Sequence, residues 1–182
     1  MSESYKFHTP EEIYFTTSTV VDWVDVFTRP EYSLIIVDSL RYCIRHKGLR
    51  VHAWCIMSNH IHLVVSAEAT AVLHDIFRDF KKYTSKKIVQ AIQEMPESRR
   101  DWMLYRFAFA GKYQQRIDQY KFWQDGNHPV LCTDGAMLRQ KVDYIHDNPV
   151  RRMLVQEAQQ YPFSSAIDYC GGKGMLPVEL LF

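Results

Sequence analysis

An antiparallel sheet with helices packed on it, an α+β fold, is predicted by three features of this sequence. The first is the run Ile13-Tyr14-Phe15-Thr16-Thr17-Ser18-Thr19-Val20, whose β-branched and aromatic residues suit a pleated, half-buried surface. The second is a pair of apolar stretches, Leu49 to Met57 and His60 to Ser66, which meet at Ser58-Asn59 as the arms of a hairpin. The third is a set of segments with helical spacing of apolar residues placed before, after and well beyond that hairpin. The resulting order, β-α-β-β-α-(β)-α, is that of a ferredoxin-like split-βαβ core with an added C-terminal helix, its helices over one face of the sheet.

Each element has a local reason. Pro30-Glu31 opens the first helix, because proline at the first helical position lacks only an N–H that would be unpaired anyway. Leu34, Ile35, Val37, Leu40, Cys43 and Ile44 give that helix its apolar side, and Gly48 closes it. In the hairpin, a tight turn puts Ala53, Cys55 and Met57 on one face with His60 and His62, and Trp54 and Ile56 on the other. A second helix spans Ala71 to Gln93, with Leu73, Ile76, Phe77, Phe80, Ile88 and Ile92 in a stripe and Pro96 ending it. From Glu97 the pattern is ambiguous: Trp102, Leu104, Phe107 and Phe109 suit a strand, and Gly111 to Asp118 a loop. Tyr120 to Trp123 reads as a further strand before the turn-like Asp125-Gly126-Asn127. Thr133 and Asp134 are good caps for a third helix carrying Leu138, Val142 and Ile145, which Pro149 is expected to stop. Residues 158–182, with three glycines, are expected to pack over the body as an irregular tail of one domain spanning 1–182.

Composition narrows the class. A hydrophobic fraction of 47% excludes a disordered chain, and no apolar run approaches membrane-spanning length. The N-terminal residues show no signal-peptide pattern, and Cys43, Cys55, Cys132 and Cys170 are scattered without a C-x-x-C pair. These features point to a cytoplasmic protein with reduced thiols and no membrane partner. A net charge of +1 does not announce a nucleic-acid binder. Basic residues nevertheless cluster: Arg78, Lys81, Lys82, Lys86 and Lys87 on the second helix, Arg99 and Arg100 after it, and Arg139, Lys141, Arg151 and Arg152 around the third. Such clusters suit phosphates, though a solvated helix face has the same composition.

Two short motifs carry chemistry. Side chains alternate along a strand, so His60 and His62 stand together while Ile61, Leu63 and Val65 face the core. Two neutral imidazoles converging on a point make half of a divalent-metal site; a polar strand face seen twice gives the same letters. In Asp143-Tyr144-Ile145-His146-Asp147-Asn148-Pro149-Val150, Tyr144 and Asn148 lie four apart and share a helical face away from the Leu138, Val142 and Ile145 stripe. A half-buried tyrosine beside a C-terminal asparagine cap is the structural alternative. No His-Glu-x-x-His zinc motif, Ser-His-Asp ordering or glycine-rich phosphate loop competes with these two.

Taken in order, His60-Ile61-His62 on a strand and a single helical tyrosine resemble the HUH single-tyrosine transposases of the IS200/IS605 type, and more closely their REP-associated branch. The resemblance extends over Ala53 to His62, the lysine-rich second helix, Phe122-Trp123-Gln124, Asp143 to Val150 and Tyr161-Pro162-Phe163-Ser164-Ser165, and is weakest over Glu94 to Gln119. It implies that His60 and His62 bind Mg²⁺ or Mn²⁺ and that Tyr144 attacks single-stranded DNA through a covalent 5′-phosphotyrosine. The IS200/IS605 enzymes proper carry a glutamine one turn after the tyrosine as a third ligand; Asn148 stands there, with a shorter reach. Cys55 and His146 are outside candidates as ligands. A metal suits the chemistry, because a phenol holds its proton at neutral pH and a cation can polarise the scissile phosphate. The implied substrate is single-stranded or hairpin DNA, with Lys81, Lys82, Lys86, Lys87, Arg139, Lys141, Arg151 and Arg152 as phosphate contacts and Tyr120, Phe122 and Trp123 as stacking candidates. A homodimer and a monomer both fit the resemblance. Two other readings use the same residues: a catalytically inactive nucleic-acid-binding protein, and a hydrolase of small phosphoesters indifferent to Tyr144.

Overall fold

A computed structural model describes residues 7, 9–112, 114 and 119–182. The elements are β1 (Tyr14–Thr19), α1 (Pro30–His46), β2 (Leu49–Ile56), β3 (His60–Ala67), α2 (Leu73–Glu94), α3 (Arg100–Gly111), β4 (Val130–Leu131), α4 (Gly135–Arg151) and α5 (Ala166–Tyr169), with short 3₁₀ turns at Val21–Trp23, Val26–Thr28 and Ala158–Gln160. The four strands run in the order β2-β3-β1-β4 with every neighbouring pair antiparallel. The α+β class and the ferredoxin-like order are therefore as the sequence predicts, with β3 in the interior of the sheet and β2 at an edge. No helix among the described residues is long and apolar enough to cross a membrane.

The layering differs from expectation, because the sheet is covered on both faces. On one face Trp54, Ile56, Ile61, Leu63 and Val65 join Tyr32, Ile36, Val37 and Leu40 of α1 and Ile76, Phe77 and Phe80 of α2 in the main core. On the other, Ala53, Cys55, Met57 and Val64 pack against Val142 and Ile145 of α4. The face that carries the two histidines is therefore not open to solvent along its length. It is roofed by the helix that carries Tyr144.

Three further elements depart from expectation. Residues 100–111 form a helix, not a strand: Met103, Phe107 and Gly111, spaced by four, are buried, while Trp102, Tyr105 and Phe109 are exposed. Apolar residues on every side of α3 hide its period. Most of the loop expected at Gly111 to Asp118 lies outside the described residues. Tyr120 to Trp123 makes only an isolated bridge, Val20 to Trp123, and Trp123 Nε1 donates to Thr84 Oγ1 (3.0 Å). Finally, α4 runs through Pro149 to Arg151. Pro149 is buried, and the helix ends in a Schellman motif: Met153 N donates to Val150 O (2.8 Å), Leu154 N donates to Pro149 O (2.9 Å), and Met153 is left-handed (φ 56°). Proline so near the C-terminus removes one hydrogen bond but not the following ones.

The tail protects the exposed edge of β2, which would otherwise present unpaired backbone groups to any passing strand. Ile56 N donates to Phe163 O (2.9 Å), Ser165 N to Trp54 O (3.0 Å) and Glu179 N to Val51 O (2.9 Å). The hydroxyls of Tyr161 and Tyr169 reach the carbonyls of Ile56 and His52 (2.9 Å each). Ser165 joins three elements: its Oγ accepts from Trp54 N (2.9 Å) and shares a hydrogen bond with His146 Nε2 of α4 (2.8 Å). His52, buried at a bulge in β2, bridges Ser66 Oγ (2.8 Å) and Glu179 O (3.0 Å).

Two outcomes follow from this stitching. Ser165→Ala leaves Trp54 N and His146 without a partner in a buried place, so it should lower stability by about 1–3 kcal/mol in chemical denaturation. Burial depresses the pKa of His52 and takes that of His146 down to about 4, so both stay neutral in the native state while the unfolded chain takes up protons near pH ~6.5. Their contribution is complete above about pH 6.5 and declines as the pH falls toward about 4. The urea midpoint should follow that decline, and His146→Gln should flatten part of the slope.

Candidate nucleophile and metal site

His60 opens β3 and His62 follows on the same side, facing Thr19 and Thr17 of β1 across the antiparallel register. Their ring centroids lie 4.6 Å apart at 72°. Neighbours decide which ring nitrogens are free. Asn59 Nδ2 donates to Trp23 O (3.2 Å) and Asp25 Oδ1 (2.9 Å), so its Oδ1 is the atom 2.7 Å from His60 Nδ1. An amide oxygen only accepts, hence Nδ1 carries the proton and His60 Nε2 holds a lone pair. His62 Nδ1 lies 2.7 Å from Thr17 Oγ1, and its Nε2 is buried without a hydrogen-bond partner.

Both imidazoles are kept neutral. Burial drives the His62 pKa down to about 3, with a smaller push from neighbouring His60. For His60 burial again leads, the Arg152 charge adds to it and Asp25 opposes it. A neutral imidazole with an unpartnered, desolvated nitrogen is the form that binds a cation.

Tyr144 projects from α4 onto this pair. Its ring meets His62 edge-on at 5.3 Å, and Phe15 lies 6.0 Å away from it while stacking on His62 at 5.5 Å. Tyr144 is 38% exposed, with its ring against the buried His62 imidazole. Asn148 lies one turn on, but its Nδ2 donates to the Tyr144 carbonyl (2.7 Å) and holds the amide along the helix. Among the described residues no third His, Cys, Asp or Glu joins the pair in a cluster. Cys55 pairs with His62 across the hairpin but is fully buried, with its thiol pKa pushed up to about 12. His146 is engaged with Ser165, away from Tyr144.

The basic residues divide into three groups. Lys141, Arg151 and Arg152 flank the site: Lys141 Nζ sits 4.9 Å over the Phe15 ring, and the Arg151 guanidinium lies 5.9 Å from the Tyr144 ring and 3.6 Å from Asp147. Arg139 is turned onto Phe182 at 3.9 Å. The α2 lysines lie on the other side of the sheet, where Lys82, Lys86 and Lys87 border a groove of about 1220 Å³ against residues 119–127. Lys81 is half-buried there, bound to the carbonyls of Gly126 and Gln124, and burial lowers its pKa to about 8. Phe122 and Trp123 are buried and unavailable for stacking. Thr17, Asn59, Phe15 and Trp23 complete the site without having been singled out from sequence. Asn59 stood beside the histidines as a turn residue, whereas Thr17 and Phe15 enter only through the β1–β3 register.

Comparison with known proteins bears on the fold and the family. The full chain superposes on a REP-associated tyrosine transposase bound to a REP hairpin, with a TM-score of 0.67 and 16% identity over 100% of this chain and 94% of that one. At that identity the likeness establishes the fold. A protein of Deinococcus radiodurans R1 described as a transposase gives a TM-score of 0.43 at 15% identity, over 80% of this chain and 98% of the other. No curated protein matches the sequence significantly. Residues 24–148, well over half the chain and including His60, His62 and Tyr144, match the family described as IS200-like transposases, and the protein belongs to that family.

Proposed function

We propose that the protein cuts and rejoins single-stranded DNA through a covalent bond to Tyr144, with Mg²⁺ or Mn²⁺ held at His60 and His62. The observation that carries this reading is the buried, unpartnered Nε2 of His62, whose ring lies 5.3 Å from that of a partly exposed tyrosine. The residues fit a divalent cation: two neutral imidazole nitrogens, oriented by Thr17 and Asn59, leave the other coordination positions to oxygen donors. Asn148 Oδ1 would be a third donor once its amide lets go of the Tyr144 carbonyl. A bound cation would polarise the scissile phosphate and stabilise its developing charge.

In the proposed reaction Tyr144 Oη forms a bond to phosphorus as the P–O3′ bond breaks. The phenol loses its proton and the departing 3′ oxygen gains one. The products are a 5′-phosphotyrosine and a free 3′-OH. A different 3′-OH attacking the same phosphorus reverses the step, so strands are joined without a nucleotide cofactor. Lys141, Arg151 and Arg152 stand where they can hold the flanking phosphates. The substrate proposed is hairpin or REP-type repeat DNA, supported by the REP hairpin on the structural relative. A second reading, an inactive DNA-binding protein, is favoured by one feature: Asn148 is tied to the helix, and among the described residues no third His, Cys, Asp or Glu completes the pair.

Wild-type protein incubated with labelled single-stranded hairpins and Mg²⁺ or Mn²⁺ should give an adduct that survives SDS and disappears with EDTA. Tyr144→Phe should abolish it while changing stability by no more than about 0.5 kcal/mol, since the residue is partly exposed. DNA binding without any adduct in wild type would establish the inactive reading instead. Because burial keeps both imidazoles deprotonated below their ordinary range, the acid limb of adduct formation should fall below pH ~6.5, and a limb at or above that value would contradict the assigned ligands.

A further inference from the structure

Beside the histidine pair, on the side away from Tyr144, stands a large aromatic that the proposed reaction does not use. Trp23 is 60% exposed, and its ring meets His60 edge-on at 6.1 Å. Trp23, His60, His62 and Tyr144 thus follow one another ring to ring, at 6.1, 4.6 and 5.3 Å. The segment around Trp23 otherwise turns its apolar side chains inward: Val20, Val21, Val24, Val26 and Phe27 are all buried.

The backbone holds this exception in place. Asp22 and Trp23 are consecutive non-glycine residues in the left-handed region, at φ 53° and 55°. L-residues avoid that region, and such strain persists where surrounding contacts enforce it. Here Trp23 N donates to Val20 O (3.2 Å), Asn59 Nδ2 donates to Trp23 O (3.2 Å), and Asp22 is paired with Arg106 (3.0 Å). The same Asn59 side chain accepts from His60 Nδ1. One residue therefore fixes both the aromatic and the free nitrogen of the first histidine.

We infer that Trp23 is a stacking ledge for an unpaired nucleobase next to the scissile phosphate. The inference rests on the single-stranded DNA reading above and deepens it. An exposed indole held rigid beside a phosphate-handling centre offers a flat π-face at little cost in side-chain ordering, and every base has a matching face. The Arg152 charge, which acts on His60, suits the backbone that carries the base. A base held there fixes the strand on the far side of the His pair, so the phosphate is placed between two anchors, Trp23 and Tyr144.

The test measures equilibrium binding in the Tyr144→Phe protein, where no covalent step intervenes. The probes are fluorescein-labelled oligothymidylate, oligodeoxyadenylate and an abasic strand of the same length, each with Mg²⁺. Adding Trp23→Ala should weaken binding of both base-bearing strands by about tenfold and leave the abasic strand unchanged. Trp23→Phe should recover most of the loss. The loss should be equal at low and high salt, because stacking releases no counterions, whereas loss of a phosphate contact changes the salt slope. Comparing strands within each variant keeps the result meaningful even where a variant is less stable. Equal binding with and without Trp23, or an equal loss on the abasic strand, overturns the ledge. If wild type still forms the adduct in that case, the ledge alone falls; if wild type neither binds nor reacts with any strand, the DNA reading falls and takes the ledge with it.

Discussion

Side chains of β3 alternate between two packed layers, and the register of that strand decides where both imidazoles stand. Ile61, Leu63 and Val65 are buried against α1 and α2, each contributing on the order of 1.5–3 kcal/mol by removal from water. His60, His62 and Val64 necessarily face the other way, toward α4. Moving β3 by one residue would exchange the two sets, taking three large aliphatic groups out of the main core and placing imidazoles in it. The combined burial of three such side chains exceeds the penalty for one desolvated His62 nitrogen, about 1–3 kcal/mol. The core therefore holds the histidine pair in a place it would not choose for itself.

Unfavourable features gather around that pair. His62 Nε2 is buried and unpartnered, and two consecutive left-handed residues lie beside His60. Left-handed residues and unpartnered buried atoms occur elsewhere too, at Met153 and Trp54 Nε1 for example, but here an orphaned imidazole nitrogen and backbone strain fall beside the same histidine pair. The neutrality of the imidazoles belongs to the same account. Desolvation suppresses protonation, so the orphaned nitrogen of His62 stays on a neutral ring, unpartnered by the surrounding side chains.

What could be read from sequence follows the range of the interactions concerned. The hairpin, the alternation of its faces and the Asp134 cap, whose Oδ1 accepts from Met137 N at 2.8 Å, are local and were legible. So was the pairing of His60 with His62 on one face. Thr17 as the partner of His62 was not, because it depends on the β1–β3 register, fixed by residues more than forty positions apart. The covering of both faces escaped for a similar reason: the stripe of α4 shows that the helix packs, not against which side. α3 does not show its helical period in sequence because apolar residues on its exposed sides, Trp102, Tyr105 and Phe109, break the contrast on which periodicity depends. Pro149 looks like a stop in sequence because the Schellman closure beyond it is set by Met153, a residue with no propensity for a left-handed turn.

The position of Tyr144 is in turn determined by its neighbours on α4. Successive helical residues turn by about 100°, so when Ile145 faces the sheet, Tyr144 and His146 must point to opposite sides of the helix. His146 is held at the β2 side by Ser165, which is itself bound to Trp54 at the edge of the sheet. Ile145 and Val142 fix the height of the helix over the strand, and the Ser165 bridge fixes its rotation. With both set, Tyr144 has only the side of His62 and Phe15 left to it. The tail that protects β2 from unwanted strand pairing is thus also what aims the tyrosine, and it joins an element far along the chain to the geometry of the centre.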